Sequence, residues 1–452
     1  MENEELLIRK LALEILLAVD RQEEMSHIIT KAVLDKYDYL DGKKKAFIKR
    51  LSQGCLQRKT EMDYVISLYS KTPVHKLKPV VRCILELGTY QILYMDYVYD
   101  TTACNLSVTL AKKRGFEKLS GFVNGILRNI ARNKSKIPYP KREDDFARYA
   151  SIRYSTPLWL VEMLVSQYSE DVCEKILADS LESNPVCVRI TNKGIGQLDT
   201  ILKKWKEAGV EVCSTKVLEE AFYLKKTNHI AGLFGYEEGY FTIQDLSSML
   251  VAHIAPIRDG DCVMDVCAAP GGKSMHAAEK AGNGVVYSFD ISEYKTSKII
   301  ENANRLGLRN VKVEVNDATV YREEYKEQAD VLLADVPCSG LGVLSKKPDL
   351  KLRLTKEGLE KLILLQRKIL SVSASYVKPG GVLVYSTCTI NRKENEENVE
   401  WFVENYPFET EEIESLPDVF AGARLEDKTV QLLQGVNEGD GFYIAKLRKR
   451  PE

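Results

Sequence analysis

From about residue 236 onward, short apolar runs alternate with helical segments: CVMDV (Cys262–Val266), VVYSFD (Val285–Asp290), VKVEV (Val311–Val315), DVLLAD (Asp330–Asp335) and GVLVYS (Gly381–Ser386). Helical patterns at 292–306 and 355–377 lie among them. Buried strands joined by helical crossovers require a parallel sheet with helices on both faces. Such a sheet places its ligand crevice at the carboxyl ends of the strands. The chain closes with a further expected strand, GFYIAKL (Gly441–Leu447).

Upstream the pattern differs. The first ~135 residues carry helical periodicity. Asn3 is the expected N-cap of the first helix, and Leu7, Leu11 and Ile15 recur at its i, i+4, i+8 positions. Phe122, Ile126, Ile130 with Val123 and Leu127 form a second stripe, Arg128 and Arg132 fall on other sides of that helix, and Pro73 and Pro79 mark breaks. The segment 133–144, NKSKIPYPKRED, reads as a linker. A small α+β module follows: helical patterns over 157–182, a strand at Pro185–Ile190, a helix over 197–208 and a strand near Val210–Cys213, ending near Gly235. Three regions result: helical 1–135, mixed 145–235, and α/β 236–452.

No apolar run is long enough to span a bilayer. The N-terminus lacks the pattern of a signal peptide, so a cytoplasmic location is expected. The ten cysteines form neither CxxC pairs nor a Cys/His cluster, which argues against a disulfide framework and against a structural metal. The net charge is −1, yet residues 1–140 hold 24 Lys/Arg against 16 Asp/Glu. A basic N-terminal third suits a polyanion such as RNA, or simply a solvated helical surface.

The first strand of the sheet runs into Asp265-Val266-Cys267-Ala268-Ala269-Pro270-Gly271-Gly272-Lys273-Ser274. A Walker A loop would need glycine at 267, where Cys267 stands, and GxGxxG is absent. Phosphate-cradling loops are therefore disfavoured. Acidic residues stand at or just after the ends of successive strands: Asp265, Asp290, Asp317 and Asp335. One such aspartate would be an ordinary helix cap. Four together repel a pyrophosphate and suit a cationic ligand such as S-adenosylmethionine.

Two cysteines leave the same end of the sheet, in DVPCSG (Asp335–Gly340) and STCT (Ser386–Thr389). C5 of a pyrimidine is not nucleophilic. A thiolate adding to C6 turns the ring into an enamine whose C5 can take a methyl group, after which a base removes the C5 proton and the thiolate leaves. The other cysteines, Cys55, Cys83, Cys104, Cys173, Cys187, Cys213 and Cys262, read as small apolar side chains, and Cys267 as part of the loop.

DVCAAPGGKS, DVPCSG and STCT, in this order on such a sheet, resemble the Sun/RsmB family of RNA (cytosine-C5) methyltransferases. GYFTIQDLSS (Gly239–Ser248), KKPDLK (Lys346–Lys351), NEEN (Asn395–Asn398) and DGFYIAKL (Asp440–Leu447) are similar to it too. The helical region, with FVNGILRNI (Phe122–Ile130), resembles a NusB-type RNA-binding domain. The middle module resembles an RRM-like or ferredoxin-like insert. The last region resembles a Rossmann-like class I methyltransferase domain. The resemblance implies S-adenosylmethionine as cofactor, no metal, no membrane, a monomer, and within the family a cytosine of small-subunit (16S) ribosomal RNA as target. It implies that Cys267, Ala268, Ala269, Pro270, Gly271, Gly272 and Lys273 form the cofactor loop, that Asp290 holds the ribose and Asp317 the adenine side, and that Asp335 lies near the methyl donor and the base. It also implies Cys388 as the nucleophile and Cys338 as the group assisting release. Spacing alone leaves the two cysteine roles interchangeable. Lys346, Lys347 and Arg392 would hold phosphates or be plain surface charge. Rival readings are a transfer-RNA or 23S enzyme, an N- or O-methyltransferase, which would need neither cysteine, and a non-catalytic NusB-like RNA-binding factor.

Overall fold

The computed structural model describes residues 4–21, 24–227 and 229–451. Asn3, the expected first N-cap, lies outside them. The chain divides into two compact units: Met1–Glu182 with Leu344–Arg353, and Ser183–Val343 with Leu354–Glu452.

The first unit is helical. Its core centres on the helix Pro79–Tyr94, buried at Val81 and from Cys83 through Ile92. Pro79 opens this helix rather than merely breaking the chain, because a first-turn residue needs no N–H partner. The expected stripes are buried at Leu11 and Ile15 and at Val123, Ile126, Leu127 and Ile130, while Arg128 and Arg132 are exposed. Gly88 permits a close helix crossing: a Cβ there would meet Leu127 Cδ1 at 2.6 Å.

Segment 133–144 is more than a tether. After a 3-10 turn at Lys134–Lys136, Tyr139 donates its hydroxyl to Glu61 at 2.9 Å, and the Tyr64 hydroxyl reaches the Pro138 carbonyl. Its prolines stop helix formation without stopping side chains from packing. The helices Phe146–Arg153, Leu158–Gln167 and Glu170–Asp179 also belong to this unit, as does the distant segment Leu344–Arg353. Within that segment buried Asp349 accepts from Ser26 N and Oγ at 3.0 and 2.6 Å. Buried Lys351 donates to the carbonyls of Gln57 and Tyr154 at 3.0 and 3.4 Å.

The second unit opens with a four-stranded antiparallel sheet of β1 (Val186–Ile190), β2 (Glu211–Ser214), β3 (Ala221–Lys225) and β4 (Phe241–Ile243), in the order β2-β3-β1-β4. The strands β3 and β4 have no counterpart in the periodicity reading; β4 is three residues long and lies beyond Gly235. Trp205, from the helix Leu198–Glu207, is wholly buried against this sheet, edge-on to Phe241 at 4.9 Å.

The larger sheet contains β5 (Cys262–Asp265), β6 (Val285–Asp290), β7 (Val311–Val315), β8 (Ala329–Asp335), β9 (Val377–Thr387), β10 (Phe408–Thr410), β11 (Val430–Leu432) and β12 (Phe442–Lys449). Its order is β10-β12-β9-β8-β5-β6-β7, with β11 beside β12. The run β9-β8-β5-β6-β7 is parallel, as expected. The last strands join it antiparallel, a common arrangement at the edge of such sheets. Successive residues alternate between two cores: Val263, Leu333 and Val384 on one face, Met264, Leu332 and Leu383 on the other. Strand order reverses at β5 and β8, which puts the crevice at their carboxyl ends.

Candidate active site

The loop leaving β5 turns at Gly271, whose φ of 105° lies in the left-handed region; a Cβ there would stand 3.3 Å from Ile299. The helix Gly272–Ala281 starts at once, so its free N–H groups border the cleft. Asp290 stands behind this loop at the end of β6. It accepts from Ala269 N at 3.0 Å and Ile291 N at 2.8 Å, and Lys295 lies 3.0 Å away. A carboxylate has about four acceptor positions, so these contacts leave capacity for hydroxyl donors.

The cleft holds about 590 Å³ including its open mouth, and is lined by Ile243, Gln244, Asp245, Ser248, Asp265, Cys267–Pro270, Gly272, Lys273 and Asp335. Asp265 is buried. Burial pushes its carboxyl up to about 7, against a hydrogen bond from Ser274 Oγ at 2.6 Å. Its Oδ1 and the Nε2 of Gln244 are buried without a hydrogen-bond partner. An acceptor and a donor left open in one cleft, beside Asp335, fit the zwitterionic end and the sulfonium of S-adenosylmethionine. Burial also pushes the Cys267 thiol well up, with Asp265, Asp290 and Asp335 adding to it, which suits a loop side chain and not a nucleophile.

At the end of β8, Asp335 accepts from Lys273 Nζ at 2.7 Å and from Ser386 Oγ of β9 at 2.9 Å. Burial pulls the Lys273 ammonium down, and the charge and hydrogen bond of Asp335 together with the charges of Asp265 and Cys388 more than offset it, so the net shift is upward. Because β8 and β9 are neighbours, the two segments that follow them meet, and the sulfurs of Cys338 and Cys388 lie 3.3 Å apart. The contact with Cys388, then burial, push the Cys338 thiol well above its ordinary range, and the charge of Glu394 adds to this.

The structure thus brings Cys267–Lys273, Asp335, Cys338 and Cys388 to one end of the sheet. Asp317 is exposed and takes both of its hydrogen bonds from Thr319, at 2.9 and 2.8 Å. Lys346 and Lys347 lie in the segment belonging to the helical unit, and Arg392 opens a 3-10 turn with Glu396 3.8 Å away. Gln244, Asp245 and Ser248, within the segment Gly239–Ser248, also line the cleft, although no role is expected for them individually from the sequence. Their signal was the N-cap pattern of Asp245 ahead of the helix Leu246–Ile254. Among the described residues no His/Cys/Asp/Glu cluster could hold a metal, and no helix is long and apolar enough to cross a membrane.

Three family models match the chain: NusB family over 7–132, the Methyltr_RsmF/B-like ferredoxin-like domain over 156–231, and 16S rRNA methyltransferase RsmB/F over 252–448. The probable ribosomal RNA small subunit methyltransferase B of Bacillus subtilis is 35% identical, with 98% of this chain and 99% of that protein covered. The ribosomal RNA small subunit methyltransferase B of Klebsiella pneumoniae is 30% identical, with 96% of each covered. Among solved structures, that of PH0851 overlays with a TM-score of 0.81 over 97% of this chain and 98% of its own, at 24% identity, a likeness of fold. A methyltransferase homologue from Pyrococcus horikoshii gives 0.58 over 66% of this chain and 97% of its own, at 27% identity. The NusB-like helices, the ferredoxin-like sheet and the methyltransferase domain therefore stand together, and the chain belongs to the RsmB/F family of 16S rRNA methyltransferases.

Proposed function

We propose that the chain methylates C5 of a cytosine in 16S ribosomal RNA through a covalent bond between Cys388 and C6. The observation that carries this reading is the pair of sulfurs 3.3 Å apart beside the Lys273–Asp335 pair and the cofactor cleft. A methyltransferase acting on nitrogen or oxygen has no use for two such thiols. S-adenosylmethionine supplies the electrophilic methyl group.

Cys388 adds as thiolate to C6, and Asp335 pairs with the N3 edge, which becomes protonated as the ring turns into an enamine. C5 then takes the methyl group and must lose its proton. At rest the neighbouring Cys388 and burial hold Cys338 as a thiol. Once Cys388 is consumed in the carbon–sulfur bond, the opposition from Cys388 falls away and Cys338 gives up its proton to solvent; the thiolate so formed takes the C5 proton as Cys388 is expelled as a thiolate. The target base must leave its stack to be reached on both faces. Cys267 through Lys273 form the cofactor loop, Asp290 takes the ribose hydroxyls, and Asp317 sits on the adenine side. Residues 1–135 and 145–235 serve RNA binding, with Lys346, Lys347 and Arg392 on phosphates, and 236–452 carry the chemistry of a monomeric cytoplasmic enzyme.

The test is to incubate the protein with labelled S-adenosylmethionine and small-subunit RNA and map the label. Label on cytosine C5 is expected; label on another base, or none on ribosomal RNA, sinks the reading. Cys338→Ala should accumulate a protein–RNA adduct and Cys388→Ala should form none. The reverse outcome exchanges the two roles.

A further inference from the structure

Glu394 closes the 3-10 turn Arg392–Glu394, is wholly buried, and has no place in the chemistry above. Its Oε1 accepts from Ser339 N at 2.8 Å and Gln366 Nε2 at 3.0 Å. Its Oε2 accepts from Ser339 Oγ at 2.6 Å, Asn391 Nδ2 at 3.0 Å and, more weakly, Thr389 Oγ1 at 3.4 Å. Every partner is a donor, the pattern that suits an acceptor-only carboxylate. Ser339 follows Cys338 directly and Thr389 follows Cys388 directly, and their hydroxyls also touch at 2.7 Å. Gln366 donates to Pro337 O as well, at 2.9 Å, so the residues on both sides of Cys338 are tied to one centre. Glu394 is itself held from behind, where its carbonyl accepts from Tyr385 Oη at 2.6 Å and Asn398 Nδ2 at 3.2 Å.

We infer that Glu394 is a positioning residue that clamps the Cys338 loop to the Cys388 loop, so that the two sulfurs share one site. A buried carboxylate with this many donors gives the loops a rigidity that neutral side chains would not, since hydrogen bonds to a charged acceptor are about twice as strong as neutral ones. The contact with Cys388 and burial raise the Cys338 thiol most, and the charge of Glu394 adds to this. The inference deepens the two-cysteine reading and rests on it for its catalytic consequence, but the geometric part can be tested separately.

Dibromobimane bridges two thiols only when they are close together. Wild type should be bridged between Cys338 and Cys388. In Glu394→Gln the bridging rate should fall by roughly tenfold, while alkylation of exposed Cys213 is unchanged. In steady-state methylation the same variant should lose roughly tenfold or more in kcat with KM for S-adenosylmethionine unchanged. Ser339→Ala, which keeps the backbone bond and removes the hydroxyl, should move both readouts in the same direction by a smaller factor. It decides the matter if Glu394→Gln fails to fold. Unchanged bridging in a folded variant overturns the clamp. Lost bridging in a protein that does not methylate cytosine leaves the clamp standing and refutes the proposed reaction instead.

Discussion

Replacing Lys351 by methionine should change the helical unit's stability in opposite directions at low and high pH. Lys351 is buried, and burial, followed by the charge of Arg58, pulls its ammonium from 10.5 down to about 7. A fall of that size corresponds to about 5 kcal/mol of penalty on the charged form. Between pH 7 and 10.5 the unfolded chain binds more protons at this site than the folded one. Wild-type stability therefore rises with pH across that window, and below pH 7 the full penalty is present. Methionine has a similar length and no charge, but it leaves the carbonyls of Gln57 and Tyr154 without this donor, at about 1–2 kcal/mol each. The variant should be about 2 kcal/mol more stable than wild type at pH 6 and about 2–3 kcal/mol less stable at pH 10. Hydrogen exchange read by mass spectrometry on peptides of the helix Pro79–Tyr94 measures this, because comparison at one pH cancels the intrinsic exchange rate. A constant difference between the two proteins from pH 6 to 10 would refute the reasoning.

Three further substitutions have expected outcomes. Asp265→Asn should flatten the pH dependence of S-adenosylmethionine affinity: in wild type the carboxyl titrating at about 7 gains its charge, and hence its attraction for a cation, as pH rises through that value, and calorimetry from pH 6 to 8.5 would detect it. The same upward shift means that ionisation of Asp265 costs wild-type stability as pH rises from 3.8 towards and through 7, a loss that the asparagine variant should escape. Gly88→Ala should lower the melting temperature of the helical unit, since its Cβ would sit 2.6 Å from Leu127 and overpacking of about 1–3 kcal/mol exceeds the ~1 kcal/mol gain in helix propensity. Trp205→Ala should cost the small sheet about 3–5 kcal/mol, seen as increased proteolysis between β1 and β4, with the helical unit unaffected.

The strongly patterned parts of the fold were legible in the sequence. Four buried strands of the larger sheet, its closing strand and the helical N-terminal region follow from periodicity, because each such segment encodes its own burial; β7, at the sheet's edge, is also expected although none of its residues is buried. Short strands do not: β4 has three residues, and its place in the sheet is set by pairing with β1, some fifty residues upstream. The site divides in the same way. Aspartates at strand ends and two cysteines beyond neighbouring strands can be read locally, and their convergence follows once the sheet is parallel. Glu394 could not be found so. It sits in a polar stretch that resembles any charged helix start, and only the packing of the turn beneath β8 and β9 buries it. The burial of Lys351 is illegible for a similar reason: nothing in the KKPDLK stretch signals it, and its amine donates to the carbonyls of Gln57 and Tyr154, far away in sequence.

Because the helical unit is completed by Leu344–Arg353, it is not finished when its own 182 residues have been made. During synthesis Ser26 has no Asp349 to bind, and the Gln57 and Tyr154 carbonyls have no Lys351, until the first four strands of the larger sheet, β5 to β8, have also left the ribosome. A chain that grows from its N-terminus must therefore hold its first helices in an unfinished state while about 160 residues are added, at roughly ten residues per second. The order of synthesis and the order of completion diverge, and the first strands of the larger sheet, β5 to β8, can begin to pair before the first domain has closed.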